Sequence, residues 1–280
     1  MKIGNYEIYS IKSGMFRLDG GAMFGIVPKV LWNKLNPSDE LNRINLSTRS
    51  LLLISDKRKI LVDTGLGNKF DEKFKNIYAV ENISIEDALK QKGFVSDEIT
   101  DVLITHLHFD HTGGSTKFEN GQIVPTFRNA KYYIQKSHFD WALNPSDKDK
   151  ASFIKDDFLP IKEFNQIEFT DGNFKLDNEI EIILSSGHTP SQQHLKITDG
   201  KNTIFYCGDL IPTSAHIPYP YVMSYDLYPL ITIEEKKKIL PQAFEENWIL
   251  FFEHDPFTSS VTIAEGKKGF EIKEKDIIPD

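Results

Sequence analysis

The feature that most constrains this chain is a cluster of ionisable side chains directly after a short apolar segment. Residues 101–105 (DVLIT) have the composition of a buried strand, and residues 106–111 continue as HLHFDH. Three of the 8 histidines of the chain lie in this short run. Because burying such groups without a partner is costly, the cluster predicts a metal site on a loop that leaves a strand.

The same arrangement, an apolar segment followed by a ligand-type side chain, occurs three more times. EIEIILSSG precedes His188, NTIFYCG precedes Asp209, and WILFFE precedes His254. Side chains on loops at one edge of a sheet can converge on one point, and imidazole and carboxylate groups bind zinc and similar divalent ions. The pooled ligand set is larger than one ion needs, so it predicts two ions that share a carboxylate. The predicted ligands are His106, His108, Asp110, His111, His188, Asp209 and His254.

Charge and the distribution of apolar residues give no reason to expect a nucleic-acid or membrane partner. The chain has 33 basic and 41 acidic residues and a net charge of −8, which gives no electrostatic reason to expect a nucleic-acid partner. No apolar run approaches the roughly 18 residues that span a membrane, so no membrane partner is expected. The N-terminus lacks the apolar region of a signal peptide, which favours a cytoplasmic location. The short lysine runs at 236–238 and 267–268 are expected to be solvent-exposed.

Strand-like and helix-like segments alternate without a repeat or linker, which predicts one α/β (α+β) domain over residues 1–280. The Asp-Gly pairs at 171–172 and 199–200 each predict a β-hairpin. Residues 232–235 (TIEE) predict a capping box that opens a helix, and Pro241 should kink or end that helix.

The run HLHFDH resembles the HxHxDH signature of metallo-β-lactamase-fold hydrolases. Further motifs of that family are similar in the same order: VDTG at 62–65, SGHTP at 186–190, GD at 208–209 and EHD at 253–255. The resemblance covers roughly residues 20–256. It implies a four-layer αβ/βα sandwich, in which two mixed sheets are covered by outer helices.

The resemblance also implies the role of each ligand. His106, His108 and His188 would bind a first divalent ion, Asp110, His111 and His254 a second, and Asp209 would bridge the two. Asp63 would orient the ligands through hydrogen bonds. Zinc is the first expectation for both ions, and manganese, cobalt and iron are compatible with the same ligands.

Three segments resemble a narrower branch, the quorum-quenching N-acyl homoserine lactone lactonases and the organophosphate hydrolases. They are residues 19–29 (DGGAMFGIVPK), 141–145 (WALNP) and 208–230. By this resemblance an apolar wall would surround the acyl chain of a substrate, and a homodimer would be usual. The predicted substrate-binding residues are Met23, Phe24, Trp32, Phe109, Trp141, His216 and Tyr221.

The predicted function is a dinuclear-metal lactonase that opens N-acyl homoserine lactones by attack of a metal-bridging hydroxide. Asp110 and Asp209 are the predicted catalytic residues, and Asp110 would pass the proton. A phosphotriesterase (organophosphate hydrolase) or a thioesterase on the same centre is the alternative. A less favoured alternative is a sensor that binds metal and catalyses no reaction.

Two positions depart from the family pattern. The motif that usually reads HTPGH is HTPSQ at residues 188–192, and the lactonase tyrosine three residues after the bridging aspartate is replaced by Pro212. His216 or Tyr221 could supply the missing hydrogen-bond donor. Cys207, which lies two residues before Asp209, is expected to be a small buried residue rather than a ligand. After the predicted strand at residues 132–135, a helix capped by Ser137 is expected. His138 and His194 are interpreted as structural or surface histidines.

Overall fold

The computed structural model describes residues 1–267 and 269–280, so Lys268 of the second predicted solvent-exposed run lies outside the described residues. In the first run the prediction is wrong for Lys236, which is buried because its Nζ donates hydrogen bonds to backbone carbonyl oxygens, including those of His216 and Pro218. The strands before residue 171 are β1 (Lys2–Ile3), β2 (Tyr6–Asp19), β3 (Arg43–Ile54), β4 (Lys59–Val62), β5 (Glu81–Asn82), β6 (Asp101–Leu103), β7 (Thr116–Glu119), β8 (Gln122–Pro125), β9 (Lys131–Gln135) and β10 (Ile167–Thr170). The later strands are β11 (Phe174–Lys175), β12 (Ile180–Ser185), β13 (Gln192–Thr198), β14 (Thr203–Tyr206), β15 (Ile249–Phe251), β16 (Ser260–Gly266) and β17 (Gly269–Lys275).

These strands form two large mixed sheets and one small hairpin. The first sheet has the order β1-β2-β3-β4-β6-β9-β10, with β5 beside β2, and the second has the order β11-β12-β13-β14-β15-β16-β17. The pairs β4–β6, β6–β9, β9–β10 and β14–β15 are parallel, whereas the other pairs within the two sheets are antiparallel. Strands β7 and β8 form the separate hairpin.

Helices cover the outer face of each sheet. The helices of the described residues are α1 (Gly20–Phe24), α2 (Lys29–Trp32), α3 (Glu72–Tyr78), α4 (Ile85–Gln91), α5 (Phe109–Thr112), α6 (Lys136–Leu143), α7 (Leu159–Glu163) and α8 (Pro229–Glu245). Residues of α4, α6 and α7 pack on the first sheet in one apolar cluster, and residues of α8 pack on the second sheet in another. None of the described helices is long and apolar enough to cross a membrane.

The layers follow from the alternation of side chains along each strand. In β3, Leu51 and Leu53 face the second sheet and join a cluster with Ile182 and Ile204, while Leu52 faces the helices. A strand with a helix layer on one side and a sheet on the other buries both of its faces, and all three leucines are fully buried. The predicted four-layer sandwich of two mixed sheets is therefore confirmed. The single domain over residues 1–280 stays a prediction, supported by the core that both sheets share.

Some local predictions from the sequence are correct and others are wrong. The turn at 199–200 joins β13 and β14 as an antiparallel hairpin, as predicted. The turn at 171–172 does not form a hairpin, because β10 pairs with β9 in the first sheet and β11 pairs with β12 in the second. An Asp-Gly turn reverses the chain locally, but tertiary packing decides whether the flanking strands pair.

The long helix α8 also differs from its prediction. It begins at Pro229 rather than at Thr232, because proline is well suited to the first position of a helix. The predicted capping residue Thr232 lies inside the helix, and its partner Glu235 instead accepts hydrogen bonds from the backbone N–H groups of Ser186 and Gly187. The helix continues past Pro241 to Glu245.

The fold brings the ends of several strands to one edge. β4 ends just before Asp63, and its parallel neighbour β6 ends just before the 106–111 loop. In the second sheet, β14 and β15 are parallel and end just before Asp209 and His254. The carboxyl ends of parallel strands meet at the same edge of a sheet, so these polar residues are placed side by side.

Candidate metal centre

Four buried side chains from three separate loops form a first ligand group. The Nδ1 atom of His108 lies 3.0 Å from Nε2 of His106 and 3.2 Å from Nε2 of His188. Nε2 of His188 lies 3.1 Å from Oδ2 of Asp209. One ligand atom from each of the four residues lies within 4.8 Å of the others, a separation that suits one common cation.

A second ligand group lies on the other side of Asp209. Nε2 of His254 lies 3.1 Å from Nε2 of His111 and 3.2 Å from Oδ1 of Asp209. Oδ2 of Asp110 lies 3.7 Å from the same nitrogen of His254. Asp209 therefore presents one carboxylate oxygen to each group, which is the arrangement expected of a bridging ligand.

The outer nitrogens of the histidines are held by the protein. Nδ1 of His188 lies 2.9 Å from Oδ1 of Asp226, and Nδ1 of His254 lies 2.9 Å from the carbonyl oxygen of Ser47. Since a carboxylate or carbonyl can only accept a hydrogen bond, each ring donates through Nδ1 and turns its Nε2 toward the cluster. This fixed tautomer is typical of metal-binding histidine.

His111 is held by two carboxylates at once. Its Nδ1 lies 2.8 Å from Oε2 of Glu253 and 3.1 Å from Oδ2 of Asp63. Burial raises the pKa of Glu253 to about 8, against the lowering effect of the adjacent His111. Tyr206 donates a hydrogen bond to Glu253 Oε2 over 2.8 Å. The carboxylate pair therefore lies in a network that fixes the orientation of His111.

Asp63 links two of the loops that meet at the site. It accepts hydrogen bonds from the backbone N–H and the hydroxyl of Thr105, each over 2.7 Å, in addition to its contact with His111. Asp63 has a φ of 57°, a left-handed conformation that is uncommon for a residue other than glycine. Such a conformation persists where the surrounding hydrogen bonds require it, as they do here.

The charges of the cluster suit a cation. Burial, together with the neighbouring imidazoles, holds the pKa of His106 and of His108 well below its usual range, so both rings are neutral lone-pair donors. Burial opposes ionisation of Asp209, but His111, His188 and His254 outweigh it and hold the pKa of this carboxyl well below its usual range. Burial opposes the charge of His254 as well, but Asp209 raises the pKa of His254 to about 9, so a metal ion at the second group would take the place of a proton.

Buried polar atoms without a hydrogen-bond partner test whether these residues suit metal ions. Oδ1 of Asp209 is buried and has no hydrogen-bond partner in the described residues, although it faces the second group. An unpaired buried carboxylate oxygen is costly, and a cation at this position would remove that cost. Together with the converging lone pairs, this orphaned oxygen indicates that the residues fit divalent metal ions.

A cavity of about 270 Å³ opens onto the cluster. Asp110, His188, Asp209 and His254 line one side of it, and the apolar lining includes Leu18, Met23, Leu46, Phe109 and Met223. Of the predicted wall residues, Met23 and Phe109 line this cavity, and their role in substrate binding stays a prediction. Two tyrosines that the sequence did not single out, Tyr78 and Tyr225, also line the cavity.

The other predicted wall residues lie behind this lining. Phe24 is fully buried between Trp32 and His216, with ring centroids 5.3 and 4.5 Å away, and Tyr221 packs edge-on to it. The indole N–H of Trp141 donates a hydrogen bond to Oδ2 of Asp149, and Asp149 itself lines the cavity. Phe24, Trp32 and His216 stack on one another, which buries their surface, and none of these aromatic residues is part of the cavity lining.

Neither proposed replacement for the missing lactonase tyrosine lines the cavity. Nε2 of His216 lies 2.9 Å from the carbonyl oxygen of Met23, and Tyr221 is not part of the cavity lining. Pro212 itself contributes its carbonyl oxygen, which accepts a hydrogen bond from the backbone N–H of His254. Cys207 is buried in the apolar cluster under α8, as expected of a small core residue.

Several residues of the centre were missed by reasoning from the sequence. Asp226, Glu253 and Thr105 hold ligands or other supporting residues, as described above. Glu253 and Thr105 adjoin predicted ligands, which was a usable signal. Asp226 lies 38 residues from the histidine that it holds, and nothing in the local sequence points to that contact.

The fold and the buried ligand groups together define a metal-dependent hydrolase with a two-sheet sandwich. The sequence model of the metallo-beta-lactamase superfamily matches residues 44–268, and the chain belongs to that superfamily.

Individual proteins extend the likeness over most of the chain. An N-acyl homoserine lactonase of Bacillus thuringiensis is 25% identical over 226 residues, which cover 76% of this chain and 82% of the relative. A probable metal-dependent hydrolase from Staphylococcus aureus superimposes with a TM-score of 0.89 at 29% identity and covers 98% of this chain and 99% of that one. AidC, a dizinc quorum-quenching lactonase, shares the fold with a TM-score of 0.80 at 24% identity, over 98% of this chain and 95% of its own.

Proposed function

We propose that this protein is a dinuclear-metal lactonase that opens the ring of N-acyl homoserine lactones. The observation that carries the proposal is the position of Asp209, whose two oxygens face two separate groups of buried ligands. The curated relatives that match most of the chain are N-acyl homoserine lactonases, which favours a lactone as the substrate.

The seven predicted ligands would hold two divalent ions, zinc being the first expectation. When bound, two such ions supply a water molecule of lowered pKa and positive charge that stabilises an oxyanion. Asp110 lies at the cavity surface beside the second group, where its carboxylate can accept the proton of the attacking water and return it to the leaving alkoxide. Asp209 would fix the spacing of the two ions.

The cavity fits a lactone that carries a short or medium acyl chain. A volume of about 270 Å³ leaves room for a small molecule, and its apolar side lies opposite the ligand groups. Tyr78 and Tyr225 line this cavity. Burial raises the pKa of each phenol, and nearby groups that include Asp110 raise it further, so that the pKa of Tyr225 is about 12. Both phenols therefore keep their protons and can donate hydrogen bonds to a substrate carbonyl.

The experiment compares zinc-loaded protein on four kinds of substrate: N-acyl homoserine lactones, simple lactones, paraoxon-type esters and acyl thioesters. We expect the highest kcat/KM on the acyl homoserine lactones. Faster hydrolysis of paraoxon or thioesters would replace the proposed substrate class. Two bound zinc ions without hydrolysis of any substrate would identify a binding or sensing protein and overturn the proposal.

The variant Asp209→Asn tests the bridging role. It keeps the size of the side chain and removes the charge that the two ions would share, so we expect turnover to fall by more than about 100-fold. Asp199→Asn, in the exposed β13–β14 turn, is the matched control and should keep full activity. Full turnover of zinc-loaded Asp209→Asn would contradict the assignment.

A further inference from the structure

The first turn of helix α6 contacts two of the three loops that carry the first ligand group, the loop of His106 and His108 and the loop of His188. His138 in this turn is 1% exposed, and its Nε2 accepts a hydrogen bond from the backbone N–H of Leu107 over 2.8 Å. Its Nδ1 lies 2.8 Å from the carbonyl oxygen of Pro190. Leu107 stands between His106 and His108, and Pro190 follows His188 by two residues. One imidazole therefore joins the two loops, although it belongs to neither ligand group.

The chemistry of the partners fixes the state of this ring. A backbone N–H can only donate, so Nε2 carries a lone pair, and a carbonyl can only accept, so Nδ1 carries the proton. Burial lowers the pKa of His138 to about 4, which agrees with a neutral ring. Neutral imidazole offers one acceptor and one donor on opposite sides, and both are used.

A second contact from the same turn meets the loop of His188. The hydroxyl of Ser137 lies 2.8 Å from that of Ser191, which replaces the glycine of the usual HTPGH motif. Ser137 is thus not a helix cap, since the helix already includes it and the residue before the helix, Gln135, makes no side-chain capping bond. The turn at 137–138 contacts two consecutive residues, 190 and 191, of this loop.

We propose that His138 is a positioning residue that sets the separation of the two ligand loops and so controls how firmly the first group holds its metal ion. The loops start from different sheets, because the 106–111 loop follows β6 and His188 follows β12. The backbone bond from Gln193 N–H to Thr105 O, 2.9 Å long, joins them at their base. His138 joins them beside the ligands themselves.

Removing the ring would leave a buried N–H and a buried C=O without partners. An unpaired buried N–H or C=O group is costly, so the loops are expected to move apart until water reaches them. The movement would separate His188 from His106 and His108, whereas His111 and His254 are held by Glu253, Asp63 and Ser47. The effect should therefore fall on one ion of the two. The inference rests on the proposed metal centre but not on the lactone substrate.

The experiment measures zinc release from fully loaded protein after addition of EDTA, with zinc content determined by elemental analysis. In His138→Ala, we expect one of the two ions to leave about 10-fold faster or more, and the other to leave at the wild-type rate. His138→Asn keeps a donor near Pro190 and cannot reach Leu107, so its rate should lie between the two. This milder variant also tests the idea if His138→Ala does not fold.

The control is His194→Ala. His194 is equally buried, and its ring contacts Ser185 Oγ at 2.8 Å and the carbonyl oxygen of Tyr206 at 3.3 Å, both within the second sheet. It should lower the melting temperature without selective loss of one ion. Release rates of His138→Ala within about twofold of wild type, or equal acceleration of both ions as in a generally destabilised protein, would overturn the positioning role.

The two proposals fail in different ways. Wild-type protein that holds two zinc ions but hydrolyses no lactone would overturn the proposed function and leave the zinc-release test of His138 intact. Wild-type protein that binds no zinc would overturn both proposals.

Discussion

Ser191 has a backbone conformation that favours glycine over any residue with a Cβ. Its φ of 57° is in the left-handed region, which costs a residue with a Cβ about 1–2 kcal/mol relative to glycine. The hydroxyl contact with Ser137 offsets part of this cost. We expect Ser191→Gly to be more stable than Ser191→Ala by about 1 kcal/mol, because both lack the hydroxyl and only alanine retains the strain.

Urea unfolding of the two Ser191 variants at the same zinc loading measures this difference. A comparison with Ser137→Ala isolates the hydroxyl contact, since that variant keeps the serine at 191 and removes only its partner. Equal free energies of unfolding for the glycine and alanine variants would show that the backbone at this position carries no such strain.

At the scale of the elements, a buried arginine joins β3 to the loop that follows β15. Arg49 is 1% exposed, and it donates hydrogen bonds to the carbonyl oxygens of Phe252 and Asp255 over 3.0 and 2.8 Å. Its charge is paired with Asp280 through bonds of 2.6 and 2.9 Å. His254 lies between these two carbonyl groups in the chain, so the arginine supports a predicted ligand.

We expect Asp280→Asn to lower the free energy of unfolding by about 1–2 kcal/mol at pH 7, since Arg49 would remain buried without its counter-charge. The value is modest because the carboxylate is 36% exposed and water screens it. Burial opposes ionisation, but Arg49 lowers the pKa of Asp280 to about 2. This contribution is therefore complete above the unfolded pKa near 4 and is lost as the pH falls through about 2.

Unfolding curves between pH 2 and pH 7 check this prediction. The wild type and Asp280→Asn should differ at pH 7 and converge in acid. Glu271→Gln, on the exposed strand β17, is the control and should leave the curve unchanged. A constant difference across the whole pH range would mean that the loss comes from packing instead of charge.

At the scale of the whole molecule, the ligand groups connect the two sheets. The 106–111 loop belongs to the first sheet, whereas His188, Asp209 and His254 follow strands of the second. Metal ions that bind only the folded state stabilise it by about 4 kcal/mol when the free metal is 1,000 times its dissociation constant. For a chain of this size we expect removal of zinc to lower the melting temperature by roughly 10 °C.

Thermal unfolding with saturating zinc and with EDTA measures the shift. Asp209→Asn should reduce the shift strongly, because its carboxylate is the one ligand that both groups share. An identical melting temperature in zinc and in EDTA would mean that no metal ion connects the sheets.

The sequence determined the chemistry of the centre and its overall frame. Strands are recognisable because side chains alternate between buried faces, and ligand-type residues are recognisable because they follow those strands directly. The HLHFDH run and His188, Asp209 and His254 could therefore be predicted to converge, and the structure brings them together. The family resemblance supplied the sandwich of two mixed sheets.

Only the tertiary structure decided which groups hold those ligands and which face the cavity. Asp226 holds His188, and His138 joins the two ligand loops, but neither contact leaves a local pattern in the sequence. Phe24 and Trp32 have the composition of a pocket wall and are instead stacked behind it. The physical reason is that hydrogen bonds and packing between residues distant in the chain depend on where whole sheets and helices lie, whereas periodicity records only which face of its own element a residue occupies.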